Sequence, residues 1–266
     1  MPPPLDGLAA IIRLPDSALV RRVDSGEGSD SSIQFVLYDL LRREQALAAE
    51  ARPERSSEAG RILDLTQMAY GELVGLLVGR TDGLLETARD GEWSLRDLLR
   101  HAIAVELRYA AQIEWSATRR DDDPLAIPLE RLPCDRLAPP EPEFADSRGG
   151  GLARMLELLG DARARSNERL QVIPGVALAR PSLWGTSQVS VRTRLHQFAA
   201  HLAEVVIQGE KYLGSNVDAE ARRIVRRCCA IRGLHERWSG QDVRTRLDAR
   251  YSALAVRLDH AAEKHT

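Results

Sequence analysis

The sequence lacks the features of a membrane or secreted protein. It contains no run of about 18 apolar residues, so we expect no membrane-spanning helix. Residues 1–4 have neither the basic nor the apolar stretch of a signal peptide. Three cysteines, Cys134, Cys228 and Cys229, are too few and too irregularly spaced for a disulfide framework. We therefore expect a cytoplasmic protein whose thiols are buried or idle.

Lysine is nearly absent. Lys211 and Lys264 are the two lysines, and the other 35 of the 37 basic residues are arginine. Together with abundant alanine, this composition is typical of a GC-rich bacterial genome. The formal net charge of -2 does not point to nucleic acid or an anionic membrane as a partner. Alternating strand patterns, Gly-rich phosphate loops and Ser/His/Asp nucleophile spacings are also lacking.

Amphipathic helices account for most of the chain. Apolar residues recur at steps of three and four, which is the helical period. The expected helices cover residues 32–51, 57–79, 94–117, 152–172, 190–213, 218–235 and 240–262. Ser94 is a suitable N-cap for the third of them. This pattern predicts an all-α fold with about seven helices and no sheet.

Proline, glycine and serine clusters divide the chain into three parts. Residues 1–31 predict a loosely ordered lead-in with a short helix near 16–23. Residues 32–215 are expected to form a helical bundle with a preceding helix, and residues 216–266 a helical extension. The connection 119–149 interrupts the bundle, and a loop of this length is usually functional or mobile.

Two motifs resemble the DinB-like superfamily. The first begins at Trp93-Ser94 and reaches His101, eight residues after the tryptophan. The second is a Leu195-His196 pair followed by His201 and, seven residues later, Gln208. The resemblance covers about residues 57–215. It implies an up-down-down-up four-helix bundle with 119–149 as the crossover. The extra N-terminal helix at 32–51 and the two extra C-terminal helices fall outside the resemblance.

The resemblance implies a metal site that this chain has only in part. His101 and His201 match two of the family's histidine ligands, which would hold a divalent metal such as zinc or nickel. The third ligand should lie four residues after His201, where the chain has Val205. The neighbouring polar residues Glu106, His196, Glu204 and Gln208 are not convincing replacements, because of their position on the helix or the weakness of an amide as a ligand.

Two functions are compatible with these residues. The chain is expected to be a bundle of uncertain activity that has a degenerate two-histidine site and binds a small molecule. The alternative is an active metal-dependent transferase or isomerase that uses a low-molecular-weight thiol, as some family members do. A homodimer is compatible with either function.

A basic stretch near the C-terminus allows two interpretations. Arg222, Arg223, Arg226 and Arg227 share a helix face, with Arg232 beyond them. A solvated helix face is the interpretation favoured by the charge balance of the chain, and a contact with an anion or nucleic acid is the alternative.

Overall fold

A computed structural model describes residues 6–24, 30–54, 56–88, 91–213, 219–239 and 252–257. These residues form an all-α protein, as predicted. None of the described helices is long and apolar enough to cross a membrane. The helices are α1 (Asp6–Ile12), α2 (Ile33–Ala51), α3 (Glu58–Leu77), α4 (Leu95–Thr118), α5 (Leu152–Leu170), α6 (Val191–Leu213) and α7 (Glu220–Ser239).

Side-chain caps fix where two of these helices begin. Ser94 precedes α4 with extended backbone angles, and its hydroxyl accepts a hydrogen bond from the Asp97 amide at 3.1 Å. Ser32 caps α2 in the same way by accepting from the Phe35 amide at 3.2 Å. Both hydroxyls satisfy an amide that the helix itself leaves without a partner. The predicted starts of these two helices are therefore confirmed.

The first compact unit is a four-helix bundle made of residues 54–69 and 82–212. It contains the first part of α3 and the helices α4, α5 and α6. Its apolar core receives side chains from all four helices, because each helix has one apolar face. Members of this core include Ile62, Leu63, Ala110, Ile113, Leu170, Leu195 and Phe198.

Two short antiparallel ribbons contradict the expectation that there is no sheet. The strands β1 (Arg22–Asp24) and β2 (Asp30–Ser32) form one pair, and β3 (Pro181–Trp184) and β4 (Ser187–Ser190) form the other. Among the described residues, no strand is longer than four residues, so neither ribbon produces an alternating pattern long enough to recognise in the sequence.

The second compact unit consists of residues 1–53, 70–81 and 213–266. The prediction of a loosely ordered lead-in over 1–31 is wrong for its described part. The helix α1 and a 3-10 turn at Asp16–Ala18 precede β1, and Leu8, Ile11 and Leu19 are fully or almost fully buried in the core of this unit. Apolar burial, which outweighs the local Pro and Gly content, explains this order. Residues 25–29 lie outside the described residues.

The helix α2 belongs to this second unit, together with α7. This assignment differs from the expectation that the 32–51 helix belongs with the bundle. Its inward residues Ile33 and Leu37 instead share a core with Val225 and Cys228 of α7. Of the predicted helix at 240–262, residues 252–257 are helical, and the remainder lies outside the described residues.

The basic stretch of α7 is not the solvated face that the charge balance favoured. Arg222 and Arg232 are buried, and Arg226 pairs with Glu72 of α3 at 2.8 Å. Arg223 and Arg227 do face the solvent. Arginine stems are long enough to pack against apolar neighbours, which is why a run of charges need not be an exposed face.

Candidate functional site

The bundle brings His101 of α4 and His201 of α6 into contact. Their Nε2 atoms lie 3.4 Å apart, and the ring centroids are separated by 5.3 Å. Each side chain is partly exposed. The structure therefore confirms that the two histidines approach each other, whereas metal binding by them stays a prediction.

A backbone carbonyl determines which ring nitrogen of a neutral His101 bears the proton. Its Nδ1 lies 2.8 Å from the carbonyl oxygen of Arg136, and a carbonyl can only accept. The proton of a neutral His101 therefore sits on Nδ1. Its Nε2 keeps a lone pair that points toward His201, which is the arrangement in which a histidine can be a metal ligand.

His201 is held in its neutral form. Burial, and then the neighbouring His101, lowers the pKa of His201 to about 4. A neutral imidazole has a lone pair on one ring nitrogen, so at neutral pH this side chain can ligate a metal or accept a hydrogen bond.

Aromatic and cationic side chains surround the pair. The Trp93 ring meets His101 edge-on with centroids 4.8 Å apart, and the Tyr109 ring lies 5.8 Å from His201. The guanidinium of buried Arg194 lies 4.0 Å from the centroid of Tyr109 and donates to Gln197. In the sequence, Trp93 was identified only as the start of the first motif, and Tyr109 and Arg194 were overlooked.

The third ligand position is apolar. Val205 is 2% exposed, one turn after His201. The alternative donors on α6 do not help, because His196, Glu204 and Gln208 all face the solvent. Among the described residues, no group of three or more His, Cys, Asp or Glu side chains is arranged to hold a metal.

Glu106 is engaged elsewhere. Its carboxylate forms a buried ion pair with Arg163 of α5 at 2.5 Å. Arg163 also donates to Asn167, which in turn donates to Gln67 of α3. Burial raises the pKa of Glu106, and the charge of Arg163 opposes this shift. Glu106 therefore joins α4 to α5 in the core, where its carboxylate is paired with Arg163.

The long connection is ordered and lies along α4. Arg108 donates to the carbonyl of Cys134 at 2.5 Å, and Arg100 donates to the Ser147 hydroxyl at 2.6 Å. The carboxylate of Asp135 accepts from the Leu137 amide at 2.8 Å, which forms a turn around Arg136. These anchors hold the Arg136 carbonyl against His101. A carbonyl contact of this kind leaves no sequence signal, because every residue has that group.

The two imidazoles fit part of a metal site. Two ligands about 2.1 Å from a tetrahedral zinc lie roughly 3.4 Å apart, which is also the distance between these nitrogens. The neutral form of His201 and the Nδ1 hydrogen bond of His101 fit a metal site as well. A tight zinc site takes three or four protein ligands, and the described residues supply two. The residues present therefore fit a weak site and not a tight one.

Comparisons with known proteins place the bundle in a family. A family model described as the DinB superfamily matches residues 63–204, which is more than half of the chain. No curated protein matches the chain. Among solved structures, the chain is similar to YfiT from Bacillus subtilis, described as "a probable metal-dependent hydrolase with an unusual four-helix bundle topology". The identity is 16%, the TM-score is 0.44, and the match covers 61% of this chain and 93% of YfiT.

Proposed function

The chain belongs to the DinB superfamily, and on that premise we propose that it is a small-molecule-binding bundle with a degenerate metal site. The observation that supports this proposal is the buried Val205 at the position of the third ligand. Valine has no donor atom, so the pair His101 and His201 lacks the ligand count of a tight site. The two imidazoles still offer hydrogen-bonding groups to a ligand, with the rings of Trp93 and Tyr109 beside them.

A second function is favoured by the distance between the histidines. Nitrogens 3.4 Å apart, with the His101 proton held on Nδ1, suit a divalent metal whose coordination is completed by a substrate thiolate. The chain would then be a metal-dependent transferase or isomerase that uses a low-molecular-weight thiol. His101 and His201 would hold the metal, which when bound lowers the pKa of a thiol or water. Arg136 would orient His101 through its carbonyl.

Metal content separates the two functions. The full chain is purified without chelators and dialysed, and its zinc and nickel are measured by mass spectrometry. A degenerate site predicts far less than one metal per chain. A nearly stoichiometric metal that is lost in both His101→Ala and His201→Ala would contradict the degenerate site and support the enzyme.

His196→Ala is the matched control, because His196 is on α6 but faces the solvent. A metal lost equally from the control would indicate surface binding.

For the ligand, the histidine side-chain NMR signals are followed while glutathione is added, with and without zinc. Shifts of His101 and His201 without zinc support the binding bundle, and shifts that require zinc support the enzyme.

A further inference from the structure

Both ring nitrogens of His101 have a neighbour within hydrogen-bond distance. Nδ1 lies 2.8 Å from the carbonyl oxygen of Arg136, and Nε2 lies 3.4 Å from Nε2 of His201. A neutral imidazole has a proton on one of its nitrogens and a lone pair on the other. The group that faces Nδ1 therefore decides what His101 offers to His201.

The carbonyl of Arg136 gives the histidine pair a direction. Because this oxygen can only accept, Nδ1 of a neutral His101 is the donor and its Nε2 is an acceptor. The nitrogen on the other side of the second contact, Nε2 of His201, then carries the proton. In the metal-free chain, one backbone oxygen thus leads to opposite tautomers in the two histidines.

A side chain of α4 holds the segment that carries this oxygen. Arg108 lies seven residues after His101 and thus on the same side of the helix. Its guanidinium donates to the carbonyl of Cys134 at 2.5 Å, two residues before Arg136. The thiol of Cys134 lies 3.7 Å from the Ala104 carbonyl, which is also in α4. Residue 134 therefore contacts α4 twice, and the chain runs from there to His101.

A turn formed by Asp135 orients the carbonyl. Its Oδ1 accepts from the amides of Leu137 and Ala138 at 2.8 and 3.0 Å. Asp and Asn side chains make turns of this kind by bonding to the backbone two residues further on. The Arg136 carbonyl and the Leu137 amide belong to the same planar peptide group. A bond that holds the amide therefore also fixes the direction of the oxygen that meets His101.

We propose that Arg108 and Asp135 are positioning residues that set the tautomers of His101 and His201. Arg108 determines where residue 134 lies, and Asp135 determines which way the carbonyl of the next residue points. Both act on the pair through the Arg136 carbonyl, and no proton enters or leaves the pair. This role rests on the proposed function for its use, because Nε2 of His101 must keep a lone pair to meet a metal or the donor group of a ligand.

The test is NMR of the metal-free full chain, whose histidines are labelled with the NMR-active nitrogen isotope, at about pH 8, where imidazoles are neutral. The couplings of each ring nitrogen to the ring protons show which nitrogen carries the proton. In the wild type we expect the proton on Nδ1 of His101 and on Nε2 of His201. The opposite assignment, or the same tautomer in both histidines, would overturn the proposal.

Variants identify the positioning residues. In Arg108→Gln and in Asp135→Ala, the proton of His101 should be distributed over Nδ1 and Nε2, because the carbonyl is no longer held against the ring. Asp135→Asn should keep the wild-type tautomers, since the amide oxygen can still accept from the two backbone amides. Asp135 is exposed, so its variants test the proposal even where Arg108→Gln fails to fold. Wild-type tautomers in Asp135→Ala would overturn the role of Asp135, and wild-type tautomers in a folded Arg108→Gln that of Arg108.

Arg96→Gln is the matched control. Arg96 is also an arginine of α4 that donates to carbonyls of the long connection and its end, but its partners are Ser147 and Gly150. This variant should lower the Tm and leave both tautomers unchanged. A change of tautomer as large as in Arg108→Gln would show a general loosening of the connection and overturn the positioning role. The tautomers are measured without metal or ligand, so their outcome is independent of the metal content that tests the proposed function.

Discussion

At the scale of single residues, Val205 distinguishes this chain from a three-histidine site. It occupies the position one turn after His201 and is buried. The polar residues around it either face the solvent or, like Glu106, are held by another charge. One substitution is therefore enough to test whether the geometry of the site is otherwise intact.

We expect Val205→His to create a tight metal site. Residues 201 and 205 are one turn apart on α6, and His101 approaches from α4, so three imidazoles would converge. Placing a polar ring in this apolar position should cost about 1–3 kcal/mol of unfolding free energy before metal is added. Zinc titration followed by calorimetry measures the gain. Val205→Leu is the control, and a variant with histidine that binds zinc no better than the wild type would contradict the expected geometry.

The protonation of His201 should make stability depend on pH. Its pKa is about 4 in the folded chain and about 6.5 when unfolded, so the unfolded state binds the proton first as the pH falls. Stability is fully present above about pH 6.5 and is lost as the pH falls toward 4, by at most about 3 kcal/mol. Urea unfolding across this range measures the slope. His201→Gln should flatten the slope of stability against pH, and His196→Gln should leave this slope unchanged. Equal slopes in the wild type and both variants would contradict the lowered pKa of His201.

The site was predictable where side chains follow the helical period. His101, His201 and the apolar Val205 were identified from spacing and resemblance. Arg194 had a weak signal, since it lies seven residues before His201 and thus on the same face of α6. The contact of His101 with the Arg136 carbonyl had no signal in the sequence, because this contact depends on how the connection 119–149 folds back onto α4.

At the scale of secondary structure, the spacing of apolar residues located five long helices, α2 to α6, within about two residues of their ends. It missed α1, whose seven residues are too few to show a helical period. It also assigned α2 to the bundle, because periodicity shows that a face is buried and not which helix covers it. Which helix packs against α2 depends on contacts between residues that are distant in sequence.

The glycines of α3 give a prediction at this scale. Alanine normally stabilises a helix relative to glycine by about 1 kcal/mol. Gly75→Ala should instead destabilise the chain by about 1–3 kcal/mol, because the new methyl group would meet the Arg226 backbone at 2.7 Å and the Cys229 Cβ at 2.9 Å. Chemical denaturation measures the change. Gly175→Ala is the control, since nothing lies within 4 Å of its added Cβ, and a stabilised Gly75→Ala would contradict the close packing.

At the scale of the whole molecule, each compact unit contains a cysteine thiol that can report its opening. Cys134 lies in the bundle unit, and Cys228 and Cys229 lie in the other. Burial raises the pKa of Cys134 to about 11 and that of Cys229 to about 12, so neither is a reactive thiolate near neutral pH.

We expect alkylation of the native chain to be slow at all three cysteines and slowest at Cys228 and Cys229, which are buried. Iodoacetamide labelling at about pH 8, followed by mass spectrometry of peptides, measures each rate against the urea-unfolded chain. Rates that rise together at one urea concentration would show that the two units unfold as one cooperative system, and rates that rise separately would show two. Native labelling of Cys228 as fast as in urea would contradict its burial.

The contact between Trp93 and His101 makes the site optically observable. An indole with an imidazole at its edge changes its fluorescence when a paramagnetic ion binds to that imidazole. Trp93 is 44% exposed and meets His101 with ring centroids 4.8 Å apart, and the other three tryptophans are also present in a variant that lacks Trp93. The difference between the emission of the wild type and that of Trp93→Phe therefore reports events at the histidine pair in the unlabelled protein, in real time and at micromolar concentration.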